Sequence, residues 1–224
     1  MKVCIIGNSL TNLTLAKALV NKEIFVDIFY KNKNINLDKT RTIGISKSNI
    51  NFFNNEISKI NKILWPIKKI KIFSENSGEE ELIGFEEPNN HLFSIINNFR
   101  LYSQLNSELN KTKYYKAKKD VPLKKLINLD YDLIINCDPN HSITKKFFSK
   151  KFEKKYDSFA YTTIIEHKNL ALNNTAMQIF TKKGPMAFLP ISNNKTSIVY
   201  SMRTKDDEQN FDIKELINKF NSNF

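Results

Sequence analysis

The first thirty residues are the part of the sequence that most restricts the fold. Residues 2–6 (KVCII) form a short buried-strand run that ends at Gly7, and residues 24–30 (IFVDIFY) form a second apolar run. Between the two runs, apolar residues recur at the spacing of a helix, namely Leu10, Leu13, Ala16, Leu19 and Val20. Strand, tight turn, helix and strand in this order predict a βαβ unit, whose right-handed crossover places the strands side by side in a parallel sheet.

The next part of the chain alternates between helical and strand-like patterns. Residues 46–60 predict a helix that buries Ile50, Phe53 and Ile57. Residues 66–73 and 80–87 flank a polar turn and predict an antiparallel hairpin. A helix is then predicted over 89–110, with one apolar face made of Leu92, Ile95, Ile96, Phe99 and Leu105.

The remainder of the chain is predominantly strand-like. Residues 130–138 (DYDLIINCD) predict a buried strand. Four consecutive segments separated by turn signals predict further strands, at 159–168, 175–183, 185–192 and 196–203. An amphipathic helix is predicted over 208–224. The fold class is therefore α/β, with a Rossmann-like parallel sheet interleaved with an antiparallel β-sheet.

These patterns predict two interleaved parts. Residues 1–65 and 89–150 form the Rossmann-like part, and residues 66–88 and 151–207 form the antiparallel β part. The C-terminal helix would lead to a further segment.

Composition excludes several classes of function. The net charge is +12, but only three of the 35 basic residues are arginine, and the lysines are scattered along the chain, which disfavours a nucleic-acid binder. Two cysteines, Cys4 and Cys137, cannot form a disulfide scaffold and are expected to be small core residues. No His or Cys stands at a metal-ligand spacing, so no metal is expected. The N-terminus has no signal-peptide layout, which predicts a cytoplasmic protein.

The turn after the first strand is a candidate nucleotide site. A helix N-terminus behind a glycine turn favours a pyrophosphate, and the full fingerprint is G-x-G-x-x-G. Here the turn reads Gly7-Asn8-Ser9-Leu10-Thr11-Asn12, and Tyr30 occupies the end of the second strand, where an acidic residue is expected. From these residues alone, a plain α/β turn and a cofactor site remain equal alternatives.

Further segments resemble one enzyme family in the right order along most of the chain. The segments KTRTIGISKSNINFF (39–53), LWPIKKIKI (64–72), LIGFEEPNNHLFSIINNFRLYSQL (82–105) and DLIINCDPNHSITKKFF (132–148) are similar to motifs of the flavin-dependent aromatic hydroxylases of ubiquinone biosynthesis. KKYDSFAYTTIIEH (154–167) and QIFTKKGPMAFLPISNNKTSIVYS (178–201) also resemble this family. The last segment is the most specific, because five of its residues match at family spacing: Gly184, Pro185, Ala187, Leu189 and Pro190.

The resemblance implies a flavoprotein monooxygenase. It implies FAD as the cofactor, NAD(P)H as the reductant, and O2 and a prenylated phenol or quinone precursor as substrates. The family segment that covers the flavin ring is missing from this sequence, which should leave an apolar surface uncovered. A partner chain, a second copy of this chain or the inner membrane would then cover that surface, so oligomerisation and peripheral membrane association are both left open.

The resemblance also implies roles for individual residues. The residues that would line the ADP part of FAD are Gly7, Ser9, Leu10, Thr11 and Asn12. Arg41 would contact the flavin side, Arg100 the pyrophosphate, and Asp138 the region between ribityl chain and pyrophosphate. Pro185, Ala187 and Leu189 would line the substrate cavity. No catalytic side chain is assigned, because this chemistry relies on the cofactor.

The sequence departs from the family at several of these places. Asp138 is followed by Pro139, which lacks a backbone N–H, where the family has glycine. The next basic position is Lys145 or Lys146 instead of arginine, and no Gly-Asp pair is present. A structural role is therefore left open for Arg41 as a loop anchor and for Asp138 as a helix cap or turn residue. Trp65 either packs between layers or lines the substrate cavity.

Two other functions compete with the hydroxylase. The first is a non-catalytic relative that serves as a binding or scaffold component of a quinone-synthesis assembly. The second is a nucleic-acid or anionic-lipid binder that relies on the net charge of +12.

Overall fold

A computed structural model of the chain describes residues 1–31, 38–76, 80–148, 152–203 and 217. Its strands are β1 (Lys2–Ile6), β2 (Phe25–Tyr30), β3 (Thr42–Ile45), β4 (Leu64–Ile67), β5 (Lys69–Ser74), β6 (Glu81–Glu86), β7 (Phe93–Asn97), β8 (Tyr115–Lys119), β9 (Leu133–Asn136), β10 (Ser158–Glu166), β11 (Thr175–Thr181), β12 (Gly184–Ser192) and β13 (Lys195–Arg203). Its α-helices are α1 (Leu10–Val20), α2 (Lys47–Phe52), α3 (Asn98–Leu109), α4 (Leu123–Ile127) and α5 (Ser142–Phe147).

The chain divides into two compact units. Unit 1 comprises residues 1–39, 47–63 and 96–153, and unit 2 comprises residues 40–46, 64–95 and 154–224. The boundaries proposed from the sequence differ from this division chiefly at 40–46 and 89–95, both of which belong to unit 2.

Unit 1 is built on a four-stranded parallel sheet in the order β8-β2-β1-β9. Cys4 and Ile6 of β1 pack with Leu126 of α4 and Ile143 of α5 in one buried cluster. Helix α1 packs against β1, β2 and α3. The predicted N-terminal βαβ unit is confirmed, because β1 and β2 are parallel neighbours on either side of α1 in the chain.

Unit 2 contains two sheets. The larger has six strands in the order β10-β13-β12-β11-β5-β6, in which every neighbouring pair is antiparallel except β11 and β5. The smaller has the order β3-β7-β4. The predicted hairpin is confirmed by the antiparallel pair β5 and β6, and the four predicted strands after residue 158 are also present. The expected α/β class, with a parallel sheet and separate antiparallel strands, is confirmed.

The prediction of a helix over 89–110 is wrong for the first half of this segment. Residues Phe93–Asn97 form β7, and α3 begins only at Asn98. Ser94, Ile95 and Ile96 are all buried, which suits a strand covered on both faces. Asn97 then caps α3 by accepting a hydrogen bond from the Arg100 backbone N–H at 3.1 Å.

Several other elements differ from the sequence-based predictions. The helix predicted over 46–60 ends earlier, because α2 passes into a π-helical turn over Phe53–Ile57, in which Phe53 is only half-buried. The strand predicted over 130–138 is shorter, and β3 and β8 were not predicted. The predicted C-terminal helix lies outside the described residues apart from Ile217, which packs in the core of unit 2.

Candidate functional site

The carboxyl edge of the parallel sheet gathers several of the predicted site residues of unit 1. β1 lies between β2, which follows it through α1, and β9, which lies on its other side. The later strands β2 and β8 lie on one side of β1, and β9, which follows them in the chain, lies on the other side. Ligands bind where the strand order of a parallel α/β sheet reverses in this way. Gly7 follows β1, Lys31 follows β2, and Asp138 comes two residues after β9.

Gly7 makes the tight turn between β1 and α1. Its φ is +101°, a conformation that favours glycine, and its backbone N–H donates to the Phe29 carbonyl at 2.7 Å. A Cβ at this position would lie 3.2 Å from the side-chain amide of Asn12. The turn therefore needs a glycine both for its backbone conformation and for its fit against Asn12.

Asn12 closes the turn from the helix side. Its side chain is fully buried, its Nδ2 donates to the Ile6 carbonyl at 2.9 Å, and its Oδ1 accepts from the Ser9 backbone N–H at 3.0 Å. The Ser9 N–H, which would face a phosphate in the full fingerprint, is thus satisfied internally. The N–H groups of Leu10 and Thr11 have no partner among the described residues and stay available to an anion at this helix end.

Asp138 has the surroundings of a turn residue. Its Oδ1 accepts from the Asn140 backbone N–H at 2.9 Å, and its Oδ2 lies 4.0 Å from the Lys31 Nζ. The N-cap of the following helix α5 is His141, whose Nδ1 accepts from the Ile143 N–H at 3.2 Å. Asp138 therefore shapes the turn through Oδ1, while its Oδ2 makes only the long ion pair with Lys31.

A cavity of about 480 Å³ opens beside these turns in unit 1. Its lining includes Lys31, Lys119, Asp120, His141 and Lys145. Asp120 is held next to β2, because its backbone N–H donates to the Tyr30 carbonyl at 2.9 Å. The buried His141 places its Nε2 3.5 Å from the Asp120 Oδ2. Since Nδ1 of His141 is an acceptor, its Nε2 carries the proton that faces Asp120.

The two candidate arginines lie in different units. Arg100 belongs to unit 1 and is exposed in the first turn of α3. Arg41 belongs to unit 2, is exposed and has no hydrogen-bond or ion-pair partner among the described residues. That both cations meet one FAD molecule with Gly7 and Asp138 stays a prediction.

The three residues predicted to line the substrate cavity follow one another along β12. Pro185 is exposed, whereas Ala187 and Leu189 are half-buried, and the intervening Met186 and Phe188 belong to the core. Leu189 packs against the cluster formed by Ile67, Ile95 and Ala176. Their role in binding substrate stays a prediction.

Trp65 contacts the same cluster of unit 2. It is half-buried, it packs against this cluster as Phe93 and Leu189 do, and its Nε1 donates to the Asn173 carbonyl at 2.6 Å. Trp65 therefore packs within unit 2, and whether it also lines the substrate cavity stays a prediction.

The two thiols are poorly suited to nucleophilic chemistry. Burial, followed by the nearby negative charge of Asp27, raises the pKa of the Cys4 thiol to about 12. Burial also raises the pKa of Cys137. Both thiols are therefore protonated at neutral pH and unreactive, as expected for cysteines that pack in a core.

Replacement of Cys4 by alanine should reduce the decrease in the free energy of unfolding that occurs as the pH rises above about 9. Because the folded pKa of about 12 lies above the ordinary value of 9.0, an unfolded Cys4 loses its proton first, so stability falls as pH rises from about 9 towards 12. One such group contributes at most about 1.4 kcal/mol per pH unit. Urea denaturation between about pH 8 and 11 measures the slope. Cys137→Ala is the comparison and should reduce the slope less, because its pKa is raised less than that of Cys4. Equal slopes in wild-type protein and Cys4→Ala would contradict this prediction.

Several polar contacts of unit 1 were not predicted from the sequence. The carboxylate of the buried Asp27 accepts hydrogen bonds from the Lys118 ammonium at 2.7 Å and the Tyr131 hydroxyl at 2.6 Å. An acidic residue inside the apolar run IFVDIFY is the one signal that pointed to a buried ion pair. Within the described part of the chain, no group of three or more His, Cys, Asp or Glu residues could hold a metal ion.

Comparison with solved structures reveals clear similarity over nearly the whole chain. The probable FAD-dependent monooxygenase PqsL of Pseudomonas aeruginosa superimposes with a TM-score of 0.70 at 11% identity, covering 97% of this chain and 63% of PqsL. Klebsiella pneumoniae HpxO, solved with FAD and uric acid, gives a TM-score of 0.72 at 14% identity, covering 99% of this chain and 61% of HpxO. The 2,6-dihydroxypyridine-3-hydroxylase of Arthrobacter nicotinovorans gives a TM-score of 0.67 at 12% identity, covering 90% of this chain and 56% of the hydroxylase.

This chain has the fold of these three solved structures. It spans about three-fifths of the length of these structures. No family model and no curated protein sequence matches it. None of the described helices is both long and apolar enough to cross a membrane.

Proposed function

We propose that this chain binds FAD and belongs to an aromatic hydroxylase. The observation that carries the proposal is the similarity to FAD-dependent monooxygenases over 97% and 99% of the chain. It is supported by the position of the Gly7 turn, which lies where the order of the parallel strands reverses. The resemblance in sequence extends the proposal to a prenylated phenol or quinone precursor as substrate and to NAD(P)H as the reductant.

The residues around the turn fit the pyrophosphate of a dinucleotide. Gly7 presents no side chain, and the N–H groups of Leu10 and Thr11 stay unpaired within the described chain at the positive end of the α1 dipole. Arg100 and Arg41 would add positive charge for the pyrophosphate and the flavin side, respectively. Asn12 holds the turn in place instead of the glycine that the fingerprint prefers.

When bound, the flavin supplies the redox chemistry with dioxygen, and the protein supplies orientation and exclusion of water. In this proposal Gly7, Ser9, Leu10, Thr11 and Asn12 hold the ADP part of the cofactor, and Asp138 faces the region of the ribityl chain. The face of β12 that carries Pro185, Ala187 and Leu189 would contact the aromatic substrate.

Uptake of FAD tests this proposal directly. The purified chain is incubated with FAD, free flavin is removed, and the visible absorbance of retained oxidised flavin is measured. We expect retained flavin in the wild-type protein. Gly7→Ala should weaken FAD binding about tenfold or more, because a Cβ at φ +101° displaces Asn12 and reshapes the turn.

Gly84→Ala is the matched control for the change at Gly7. Gly84 lies in the exposed edge strand β6, where an added Cβ would clash with the flexible end of the Glu81 side chain and would lie in ordinary contact, 3.9 Å, with the Ile70 carbonyl oxygen. This variant should bind FAD like the wild-type protein. A folded wild-type protein that retains no flavin would overturn the proposal and favour a non-catalytic relative with a scaffold role.

A further inference from the structure

The residues on either side of Arg41 are both attached to the larger sheet of unit 2. Thr40 and Thr42 are half-buried. The Thr40 hydroxyl lies 2.7 Å from the Thr162 hydroxyl of β10, and the Thr42 hydroxyl lies 3.3 Å from the Ser197 hydroxyl of β13. The Ser197 hydroxyl also donates to the Thr40 carbonyl at 3.4 Å. These hydrogen bonds fix the Arg41 segment, residues 40–42, to two neighbouring strands.

Thr162 and Ser197 lie on the same face of that sheet. Ser197 is the register partner of Ile164, which stands two residues after Thr162 on β10, and alternate residues of a strand face the same side. Ser197 is fully buried. A buried hydroxyl requires a hydrogen-bond partner, and the partners of Ser197 lie 155 and 157 positions earlier in the chain, in the Arg41 segment. The sheet thus holds this segment through two hydroxyl groups.

The Arg41 side chain itself is exposed and has no hydrogen bond or ion pair with the described residues. A guanidinium carries five N–H donors in a fixed plane, which suits the oxygen atoms of an anionic or carbonyl group. Because the backbone is fixed on both sides of Arg41, less conformational freedom is lost when its guanidinium binds a ligand. The segment therefore presents a free cation from an anchored backbone.

We propose that Thr162 and Ser197 are positioning residues for Arg41. Their hydroxyl groups hold the Arg41 segment at the place from which the guanidinium reaches its ligand. The inference rests on the proposed function, in which Arg41 contacts the flavin side of FAD. It adds that the affinity for FAD depends on two hydroxyl groups that act only through Arg41.

Titration of the full chain with FAD, followed by flavin fluorescence, tests this inference. We expect Arg41→Ala to bind FAD about tenfold or more weakly, because a charge-assisted hydrogen bond is lost. Thr162→Val/Ser197→Ala removes both hydroxyls and should bind FAD about threefold to tenfold more weakly, because the guanidinium must then be ordered on binding. Thr162→Ser keeps the hydroxyl and should bind FAD like the wild-type protein, so a loss in this variant would contradict the proposal.

A double-mutant cycle separates positioning from general support of the fold. In the Arg41→Ala background, Thr162→Val/Ser197→Ala should change the affinity for FAD by less than about twofold, since no guanidinium is left to position. An equal loss of affinity in both backgrounds would show that the hydroxyls act independently of Arg41 and would overturn the inference.

Thr163→Val/Ser201→Ala is the matched control. It removes two hydroxyls of the same kind from the same two strands, and neither has a hydrogen-bond partner among the described residues. This variant should bind FAD like the wild-type protein, and circular dichroism establishes that both double variants are folded. A loss in the control equal to that in Thr162→Val/Ser197→Ala would also overturn the inference.

Limited proteolysis provides a readout that does not depend on FAD. Trypsin cleaves after an arginine only when the segment around it opens locally. Without FAD, cleavage between Arg41 and Thr42, identified by mass spectrometry, should be at least about threefold faster in Thr162→Val/Ser197→Ala than in the matched control. Equal rates in the two variants would show that the hydroxyls do not hold the segment.

Retention of FAD by the wild-type protein distinguishes this inference from the proposed function. A protein that retains FAD, and whose affinity is unchanged in Thr162→Val/Ser197→Ala, disproves only the positioning role. A folded wild-type protein that retains no FAD disproves the proposed function, and the positioning role with it.

Discussion

Replacement of Gly184 by alanine should destabilise unit 2 by about 2–4 kcal/mol. Gly184 begins β12 with a φ of +144°, which strains any residue that carries a Cβ. The added Cβ would also collide with the backbone carbonyl oxygen of Ser201 on β13, an atom that cannot rotate away. Because β12 is a central strand between β11 and β13, the displacement would disturb both pairings. Urea denaturation monitored by circular dichroism measures the loss.

Gly44→Ala provides the control for this prediction. Gly44 lies in β3 of the same unit, its φ is outside the left-handed region, and an added Cβ would lie 3.4 Å from the Phe93 ring, which is close to ordinary contact. This variant should lose less than about 1 kcal/mol. Similar losses in the two variants would show that the backbone of β12 relaxes around an added Cβ and would contradict the prediction.

Replacement of Asp27 by alanine should destabilise unit 1 by about 2–4 kcal/mol. One carboxylate oxygen of Asp27 accepts hydrogen bonds from both Lys118 and Tyr131, and the Asp27 side chain is only 7% exposed. Its removal leaves an ammonium and a hydroxyl without their partner. The loss stays below that of a fully buried pair, because the Lys118 side chain is 40% exposed and regains contact with water.

Two comparisons test the Asp27 prediction. Glu56→Gln, which breaks the exposed pair with Lys22 in the same unit, should cost less than about 0.5 kcal/mol. Tyr131→Phe should cost about 1 kcal/mol, because Lys118 still pairs with Asp27. Denaturation of all three variants at one pH gives the order directly. An Asp27→Ala variant as stable as Glu56→Gln would contradict a structural role for this buried carboxylate.

The same network influences Tyr131. Burial and the hydrogen bond to the Asp27 carboxylate raise the pKa of the Tyr131 hydroxyl, so the tyrosine stays neutral above its ordinary range. Its contribution to stability is therefore present below about pH 10 and is lost as the pH rises further. In Asp27→Ala this part of the alkaline loss should become smaller.

Helices and strands whose formation depends on residues close in sequence were predicted correctly. The βαβ unit, the β5–β6 hairpin and the last four strands all follow local apolar periods and turn residues, and all are present. Strand β8 was missed because its sequence YKAKK alternates lysines with only two apolar residues. It becomes a strand by pairing with β2, which lies about 90 residues earlier in the chain, at Val26 and Tyr115.

The error at residues 89–110 has a similar cause. Ile95, Ile96 and Phe99 stand at spacings that suit a helix, but Ile95 and Ile96 also suit a strand that is buried on both faces. Pairing of β7 with β3 and β4 decides between the two, and β3 and β4 are remote in sequence. Periodicity alone does not contain this information.

The sequence by itself determined the α/β class, the glycine turn before α1 and the strands of the larger sheet of unit 2, because hydrophobic period and turn chemistry are local properties. Only the tertiary structure decided that Asn12 takes up the Ser9 N–H, that Asp27 joins Lys118 and Tyr131, and that three lysines surround one cavity. The contacts of Asp27 and of the three lysines depend on strand order and on the packing of helices against the sheet, which bring together residues more than a hundred positions apart, such as Asp27 and Tyr131.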